Sequence, residues 1–182
     1  TPTTIVIGDS GVSTGALTIE GAANFGTDNL TLYAGSIGDT STHVLTVGTL
    51  SATVTGNTST TSNNIVLDNG HAITNLGAIT AEDGFTLDNG NTSLTVTGAI
   101  NTSVANGAVS ISAGTGTYSQ NDVDVTAGSG AITITADQVA LTDNNGDNAF
   151  QTTGTLTLKP GQAGTTMSLG GSSGTFDLTA AE

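Results

Sequence analysis

The sequence has no cysteine, a single lysine and no long apolar run, and each shortage removes a class of function. Without cysteine there can be no disulfide framework and no thiolate metal site. One lysine against 15 acidic residues gives a formal net charge of -14, so a row of phosphates cannot be neutralised and we expect no nucleic-acid partner. No run approaches the roughly 18 apolar residues of a spanning helix, so no membrane insertion is expected.

Charged residues of either sign are few, and threonine, glycine and asparagine are abundant instead. Charged residues make up 9% of the 182-residue chain, against about 25% in an average protein. Apolar residues make up 35% and are spread as short runs between threonine, glycine and asparagine. Threonine suits a pleated surface, and glycine and asparagine accept the positive φ of tight turns. The composition therefore predicts a folded, all-β protein.

Short runs in which apolar and polar residues alternate recur along the whole chain. A period of two places the apolar side chains on one face of a strand and threonine or serine on the other. Clusters of glycine, asparagine and aspartate between the runs are typical of turns. The predicted strand centres are Leu17–Ile19, Leu30–Leu32, Leu45–Val47, Leu94–Val96, Val109–Ile111, Val123–Val125, Ile132–Ile134 and Leu156–Leu158.

The chain also repeats itself at an interval of 20 residues or slightly more. The tetrapeptide at 67–70 returns at 87–90, and the segment 79–90 nearly recurs at 134–146 with one inserted residue. Self-similarity at this period is typical of a solenoid, in which each repeat is one coil. We therefore expect a parallel β-helix of roughly seven to nine coils, with Asp68–Gly70 lying beneath the equivalent turn of the next coil. An antiparallel β-sandwich is the alternative.

A longer repeat carries a resemblance to a known family. The run at 130–137, with Val139–Leu141 after it, has looser copies at 79–87, 107–113 and 154–158. This pattern resembles the filamentous-haemagglutinin-like exoproteins, the large β-helical adhesins of bacterial two-partner secretion. The resemblance implies that residues 1–182 are a single β-solenoid segment of a longer repeat protein, secreted or held at the bacterial cell surface. It also implies glycans or proteins of host or neighbouring cells as partners, or homotypic packing.

The sequence predicts a non-enzymatic structural and adhesive shaft, and two alternatives remain. The first is a self-assembling extracellular fibre or sheath subunit, because an uncapped solenoid end invites another chain. The second is a carbohydrate-active β-helix enzyme, with Glu82–Asp83 or Asp122 and Asp124 as the acid pair. That chemistry also needs a cation, for which only Lys159 and two histidines are present. We therefore assign no catalytic residue and no cofactor, and interpret Asp124 as an outward strand residue.

Two groups of oxygen donors are candidates for a weak Ca²⁺ site. Asp68 and Asp88 would stack in successive coils, and like carboxylates so placed repel unless a cation or backbone N–H groups offset them. The other group has the alternate spacing of calcium ligands but lacks the closing glutamate of an EF-hand loop. We favour turn residues for both groups. The second group is Asp143, Asn145 and Asp147.

The remaining expectations concern asparagine and histidine. Asn69 and Asn89 are predicted to stack as an amide ladder between coils. His43 and His71 each precede an alternating run and are predicted to be surface residues at the edge of a coil. Two histidines without a third ligand make a poor zinc site.

Overall fold

The computed structural model describes residues 3–11, 15–40, 42–56, 63–142, 149–169 and 176–178. These residues form 18 β-strands and no helix, so they include none that could cross a membrane. Every strand pairing among them is parallel, which confirms the predicted β-helix over the antiparallel sandwich.

The strands are β1 (Thr4–Ile7), β2 (Ala16–Ile19), β3 (Ala23–Asn24), β4 (Asn29–Ala34), β5 (Ser36–Asp39), β6 (Leu45–Val54), β7 (Asn64–Leu67), β8 (Ala72–Ala81), β9 (Gly84–Asp88), β10 (Leu94–Val96), β11 (Ile100–Asn101), β12 (Ala108–Asn121), β13 (Val125–Gly128), β14 (Ile132–Thr142), β15 (Phe150–Thr152), β16 (Leu156–Lys159), β17 (Met167–Leu169) and β18 (Phe176–Leu178).

Sixteen of these strands form one sheet that winds around the core in about six turns. Paired residues in successive coils are 20 positions apart at the shortest, as for Asn64 and Gly84, and 28 at the longest, as for Ile37 and Ile65. The described residues thus make fewer turns than the seven to nine expected. The early coils are long, and β17 and β18 pair with each other instead of extending the main sheet.

One side of the solenoid, which we call face 1, is a continuous ladder of seven strand segments. From the N-terminal end it contains β2, β5, β7, β9, residues 108–112 of β12, residues 132–135 of β14, and β16. The predicted stacking of the repeated turn is confirmed on this face, because Leu67 pairs with Leu87. A Cβ placed on Gly70 would lie 3.9 Å from the Cα of Gly90, and both glycines have positive φ.

Faces 2 and 3 complete each coil. Face 2 is built around β10, with residues 117–121 of β12 and the end of β14; face 3 is built around β11, β13 and β15. In the N-terminal half, β6 and β8 each continue from face 2 into face 3. Further along the chain, β12 and β14 each continue from face 1 into face 2. Register shifts mark bends in these long strands, as between Ser112 and Gly114. Such bulges let a strand turn a corner without ending.

Inward side chains fill a narrow core of leucine, isoleucine, valine and alanine. The alternation predicted from sequence is visible in β7, where Ile65 and Leu67 are buried and their neighbours are partly exposed. Tyr118 and Phe85 are the largest side chains that are fully buried. Each buried large apolar side chain contributes about 1.5–3 kcal/mol, so the stack of coils supplies most of the stability.

The predicted strand centres lie within strands with one exception. Val123–Val125 was predicted as a strand, but β13 begins only at Val125. Asp122 has a φ of 54°, so the chain turns there and cannot continue the extended conformation of β12. Asp124 is therefore a corner residue, and its interpretation as an outward strand residue was wrong.

Candidate functional site

The two acid pairs proposed for catalysis lie at different corners of the coil. Glu82 and Asp83 connect β8 on face 3 to β9 on face 1, whereas Asp122 and Asp124 lie between faces 2 and 3. The first pair is engaged with a single asparagine, Asn63. Its backbone N–H donates to Asp83 Oδ2 at 2.6 Å, and its side-chain amide donates to Glu82 Oε2 at 2.9 Å. The pair thus joins the equivalent corners of two successive coils.

Of the two candidate calcium groups, the structure describes the residues of the first, Asp68 and Asp88. Asp88 Oδ1 accepts a hydrogen bond of 2.9 Å from the backbone N–H of Gly90, which is the bond of an Asx turn. Asp68 Oδ1 contacts the side-chain amide of Asn69 at 3.4 Å. Asp143, Asn145 and Asp147 lie outside the described residues. Within the ranges that the structure describes, no three acidic or histidine side chains are grouped so as to hold a metal ion.

The predicted amide ladder of Asn69 and Asn89 was wrong. The side chain of Asn69 turns towards the preceding coil, where it accepts from the Thr42 N–H and donates to the Thr40 carbonyl, each at 3.3 Å. The side chain of Asn89 is fully buried and bonds both the N–H and the carbonyl of Ile73, at 2.8 and 2.9 Å. The two amides diverge because each satisfies backbone groups that a turn leaves unpaired.

His71 is buried, which corrects the prediction that both histidines lie at the surface. Its residue exposure is 1%, and its Nε2 lies 2.8 Å from Oδ2 of Asp39, whose side chain is equally inaccessible. Nδ1 accepts a hydrogen bond of 3.0 Å from the backbone N–H of Leu45, so the ring proton is placed on Nε2, facing the carboxylate. His43 is half-buried, with Nδ1 3.2 Å from the Thr40 hydroxyl.

The buried pair is sealed within the coil stack. The two side chains lie within ion-pair distance, but neither Asp39 oxygen accepts a well-aligned hydrogen bond from any described residue. Solvent reaches neither side chain, since their exposures are 0% and 1%. Sequence reasoning missed Asp39. The available signal was the alternation of Ile37 with Gly38, which places Asp39 on the inward side of β5.

A second buried polar cluster joins faces 2 and 3. The Tyr118 hydroxyl donates to Gln120 Oε1 at 2.6 Å, and Gln120 Nε2 donates to the carbonyls of Val123 and Ala149 at 2.6 and 2.7 Å. The Tyr118 ring stacks on Phe150 with centroids 6.3 Å apart. Burial raises the pKa of the Tyr118 phenol far above its usual value. This cluster satisfies its own donors, and its placement fits a structural role.

A cavity of about 330 Å³ lies within the first described coil, against Leu30, Leu32 and Leu45. Its walls are the inward side chains of the first coil together with Glu20 at the rim. The apolar wall residues are Ile7, Leu17, Ile19, Ala23 and Phe25.

The outward surface of face 1 carries a row of hydroxyl side chains. Its central row contains hydroxyl side chains in five of seven coils, interrupted by Gly38 and Val66. Neighbouring strands lie about 4.8 Å apart, so the four hydroxyls in the consecutive coils from β9 to β16 form an evenly spaced row along the axis. The hydroxyl residues are Thr18, Thr86, Ser110, Thr133 and Thr157.

The described chain is thus a parallel β-solenoid with two internal polar clusters, an apolar cavity in its first coil and a row of hydroxyl side chains on face 1. The accessible chemistry of its described coils lies on their outer faces. Comparison with known proteins gives no match, whether to a protein-family model, a curated protein or a solved structure.

Proposed function

We propose that this β-solenoid is a section of the structural shaft of a secreted or cell-surface bacterial adhesin of the filamentous-haemagglutinin-like kind. The hydroxyl row of face 1 carries the proposal. A solenoid of parallel coils is a rigid spacer, and a long face of threonine and serine offers hydrogen-bond donors and acceptors at a fixed spacing. The resemblance in the repeat sequence supports the bacterial setting.

The net charge of -14 narrows the class of partner. A strongly acidic rod repels polyanions such as nucleic acid and anionic membrane surfaces. Neutral glycans present many hydroxyl groups and carry no charge, so they match the chemistry of face 1. Proteins with a basic or neutral polar surface are the other partners that fit.

Binding to a panel of immobilised glycans and to intact epithelial and bacterial cells tests the proposal. The variant Ser110→Arg/Thr133→Arg places two bulky side chains next to each other in the row of face 1. The matched control Thr53→Arg/Thr80→Arg makes the same change at neighbouring outward positions of face 3. We expect the wild type and the control to bind equally and the face 1 variant to lose at least about 90% of binding. Such a loss is a tenfold fall in affinity, which corresponds to about 1.4 kcal/mol of binding free energy.

Equal loss in both variants would show that face 1 is not the binding surface. Absence of binding to every glycan and cell type by the wild type would remove the adhesive part of the proposal and leave a spacer. A self-assembling extracellular fibre is the second candidate function, and the observation that favours it is the stacking of coils through parallel backbone pairing, which another chain can extend at a strand edge.

A further inference from the structure

Asparagine followed directly by glycine is a chemically reactive dipeptide, and the sequence contains four copies of it. Glycine has no side chain to shield its backbone nitrogen, so that nitrogen can attack the side-chain amide of the asparagine before it. A fold suppresses the attack where it buries the amide and engages the glycine N–H in a hydrogen bond. The dipeptides begin at Asn69, Asn89, Asn106 and Asn145, and the last of them lies outside the described residues.

Two of these dipeptides share the same local sequence, because they lie in the repeated tetrapeptide. Leu67–Gly70 and Leu87–Gly90 are identical and follow one another in successive coils of face 1. In the unfolded chain the two sites should react at closely similar rates. Any difference between them in the folded protein therefore comes from the structure around each copy.

The second copy is protected at both reacting groups. The side chain of Asn89 is fully buried, and its three hydrogen bonds are 2.8, 2.9 and 3.1 Å long. The N–H of Gly90 donates to Asp88 Oδ1 at 2.9 Å, so the attacking nitrogen is bound as well. The site at Asn106 is protected at the nitrogen, since the buried Gly107 donates its N–H to a backbone carbonyl at 2.9 Å.

The first copy lacks these restraints. Asn69 is partly exposed, and the three contacts of its side-chain amide are 3.3, 3.3 and 3.4 Å long. Such distances exceed the usual hydrogen-bond range of about 2.7–3.2 Å, so they hold the amide weakly. The N–H of Gly70 donates to no other residue in the described part of the chain, and Asp68 does not form the Asx turn of its counterpart. Amide and nitrogen are thus both available for reaction.

We propose that Asn69 is a site of spontaneous deamidation in the folded protein, whereas Asn89 and Asn106 are protected. The backbone nitrogen of Gly70 forms a bond to Cγ of Asn69, the bond from Cγ to the amide nitrogen breaks, and ammonia leaves with the proton of the Gly70 N–H. Water, the one co-reactant, then opens the resulting succinimide ring at either of its two carbonyls. The product is aspartate, or isoaspartate in which the main chain continues through Cγ.

The position of this site links the reaction to the buried histidine. Both products carry a new negative charge and have lost the amide that donates to the Thr40 carbonyl. Isoaspartate also adds one carbon to the main chain two residues before His71. The ring of that histidine is held between the Asp39 carboxylate and the N–H of Leu45. Deamidation should therefore displace the turn that positions the ring and destabilise the coils it joins.

Peptide mapping by mass spectrometry tests the site. The 182-residue protein is incubated for weeks at body temperature and mildly alkaline pH, either folded or unfolded in guanidinium chloride, and is digested with pepsin in acid. In the folded protein Asn69 should deamidate at least about tenfold faster than Asn89 or Asn106, which corresponds to about 1.4 kcal/mol in the activation barrier. In the unfolded chain the rates at Asn69 and Asn89 should agree within about twofold. An isoaspartate-specific methyltransferase should label the folded, aged protein at position 69.

Equal rates at Asn69 and Asn89 in the folded protein overturn the proposal, as does an Asn69 that stays intact when folded but reacts when unfolded. Two variants with the same change of charge test the effect on stability. Asn106→Asp keeps its hydrogen bond, because an aspartate oxygen also accepts from the Ser129 N–H, whereas Asn69→Asp loses the donor to Thr40. Asn69→Asp should lower the urea midpoint at least about twice as much as Asn106→Asp. Equal shifts would refute the link to the buried histidine, and neither result depends on glycan binding by face 1.

Discussion

Asp39 occupies a position that leucine or isoleucine holds in every other coil of face 1. Its inward row contains Ile19 before it and Leu67 after it. A carboxylate in an apolar core is costly unless it is paired, and here His71 is the one partner among the described residues. On the other side of the His71 ring, the backbone N–H of Leu45 donates to Nδ1 and fixes the ring orientation. The Asp39–His71 pair therefore connects β5, β6 and the turn before β8.

From the Asp39–His71 pair we predict that removing the histidine lowers the free energy of unfolding substantially. His71→Ala leaves the Asp39 carboxylate and the Leu45 N–H buried without partners, so we expect a loss of about 3–5 kcal/mol in the free energy of unfolding. His43→Ala, at a half-buried position, should cost less than about 1 kcal/mol. Urea denaturation followed by circular dichroism gives both values.

A double-mutant cycle with Asp39→Leu completes the test of this pair. In the Asp39→Leu background the histidine substitution should cost at least about 1 kcal/mol less than in the wild type, because no charge is left unpaired. Additive costs would show that Asp39 and His71 do not stabilise one another.

Tyr118 predicts how stability depends on alkaline pH. Burial raises the pKa of its phenol, so the folded protein keeps the proton at a pH where the unfolded chain loses it. Below about pH 10 both states are protonated and stability is unaffected; above it, stability should fall by about 1.4 kcal/mol per pH unit. Tyr118→Phe should abolish this slope, and Tyr33→Phe, at a partly exposed outward position, should retain it. Urea titrations between pH 8 and 11 measure the slopes.

Among the elements, the turn after β9 is unusual because the side chain of Asn89 takes the place of a neighbouring strand. In the coils below, β3, the start of β6 and the start of β8 stack on one another between faces 1 and 2. Above Ile73 the next partner is the amide of Asn89, which makes the two hydrogen bonds that a strand would make. A third bond, to the Thr92 carbonyl, holds the amide in place. One buried side chain thus closes the edge of a three-strand stack.

Asn89→Ala should therefore be far more damaging than a neighbouring substitution. It leaves the N–H and carbonyl of Ile73 unpaired in the core, at about 1–3 kcal/mol each, so we expect a total loss of about 2–6 kcal/mol. Asn91→Ala removes one exposed bond, to the Thr115 N–H, and should cost about 1 kcal/mol or less. Thermal and urea unfolding compare the two; equal losses would contradict the role of Asn89.

The elements also show what the sequence can and cannot predict. Alternation and turn residues predicted the strands and the parallel stacking, because each coil repeats the same local requirement. The alignment of segment 79–90 with segment 134–146, however, matched residues that lie on different faces. Ile79 pairs with Ile100 on face 3, whereas its sequence counterpart Ile134 pairs with Ile111 on face 1. All three faces require inward apolar residues alternating with threonine, so local similarity does not specify the face.

The buried polar groups escaped prediction for a different reason. Asp39, Asn89 and Gln120 are residue types that are usually exposed, and their sequence neighbours resemble turns or outward positions. Their burial depends on partners 16 to 32 residues away, such as His71 for Asp39 and Ile73 for Asn89. No local pattern indicates such a partner before the register of the coils is known.

At the scale of the molecule, the solenoid should tolerate the loss of a complete coil. Val109 and Ile132 occupy equivalent positions on face 1, so deleting 109–131 joins one coil to the next in register. We expect this variant to unfold cooperatively, with a urea m-value lower by about one-sixth, since the m-value scales with the surface exposed. Deleting 109–120 removes only half a coil, joins face 1 to the corner before face 3, and should abolish cooperative unfolding.

The long strands that bend at different corners have a consequence for any partner lying along the rod. In register, the inward residue of face 2 follows that of face 1 by 11 positions at Ile19 and Leu30, and by 7 at Ile134 and Leu141. The number of positions between the two rows thus falls by four along the rod, and because four is an even number, inward residues stay inward while the connection between faces 1 and 2 shortens. A straight ligand lying on face 1 would therefore meet the same strand register in every coil, whereas the corner beside it changes from coil to coil.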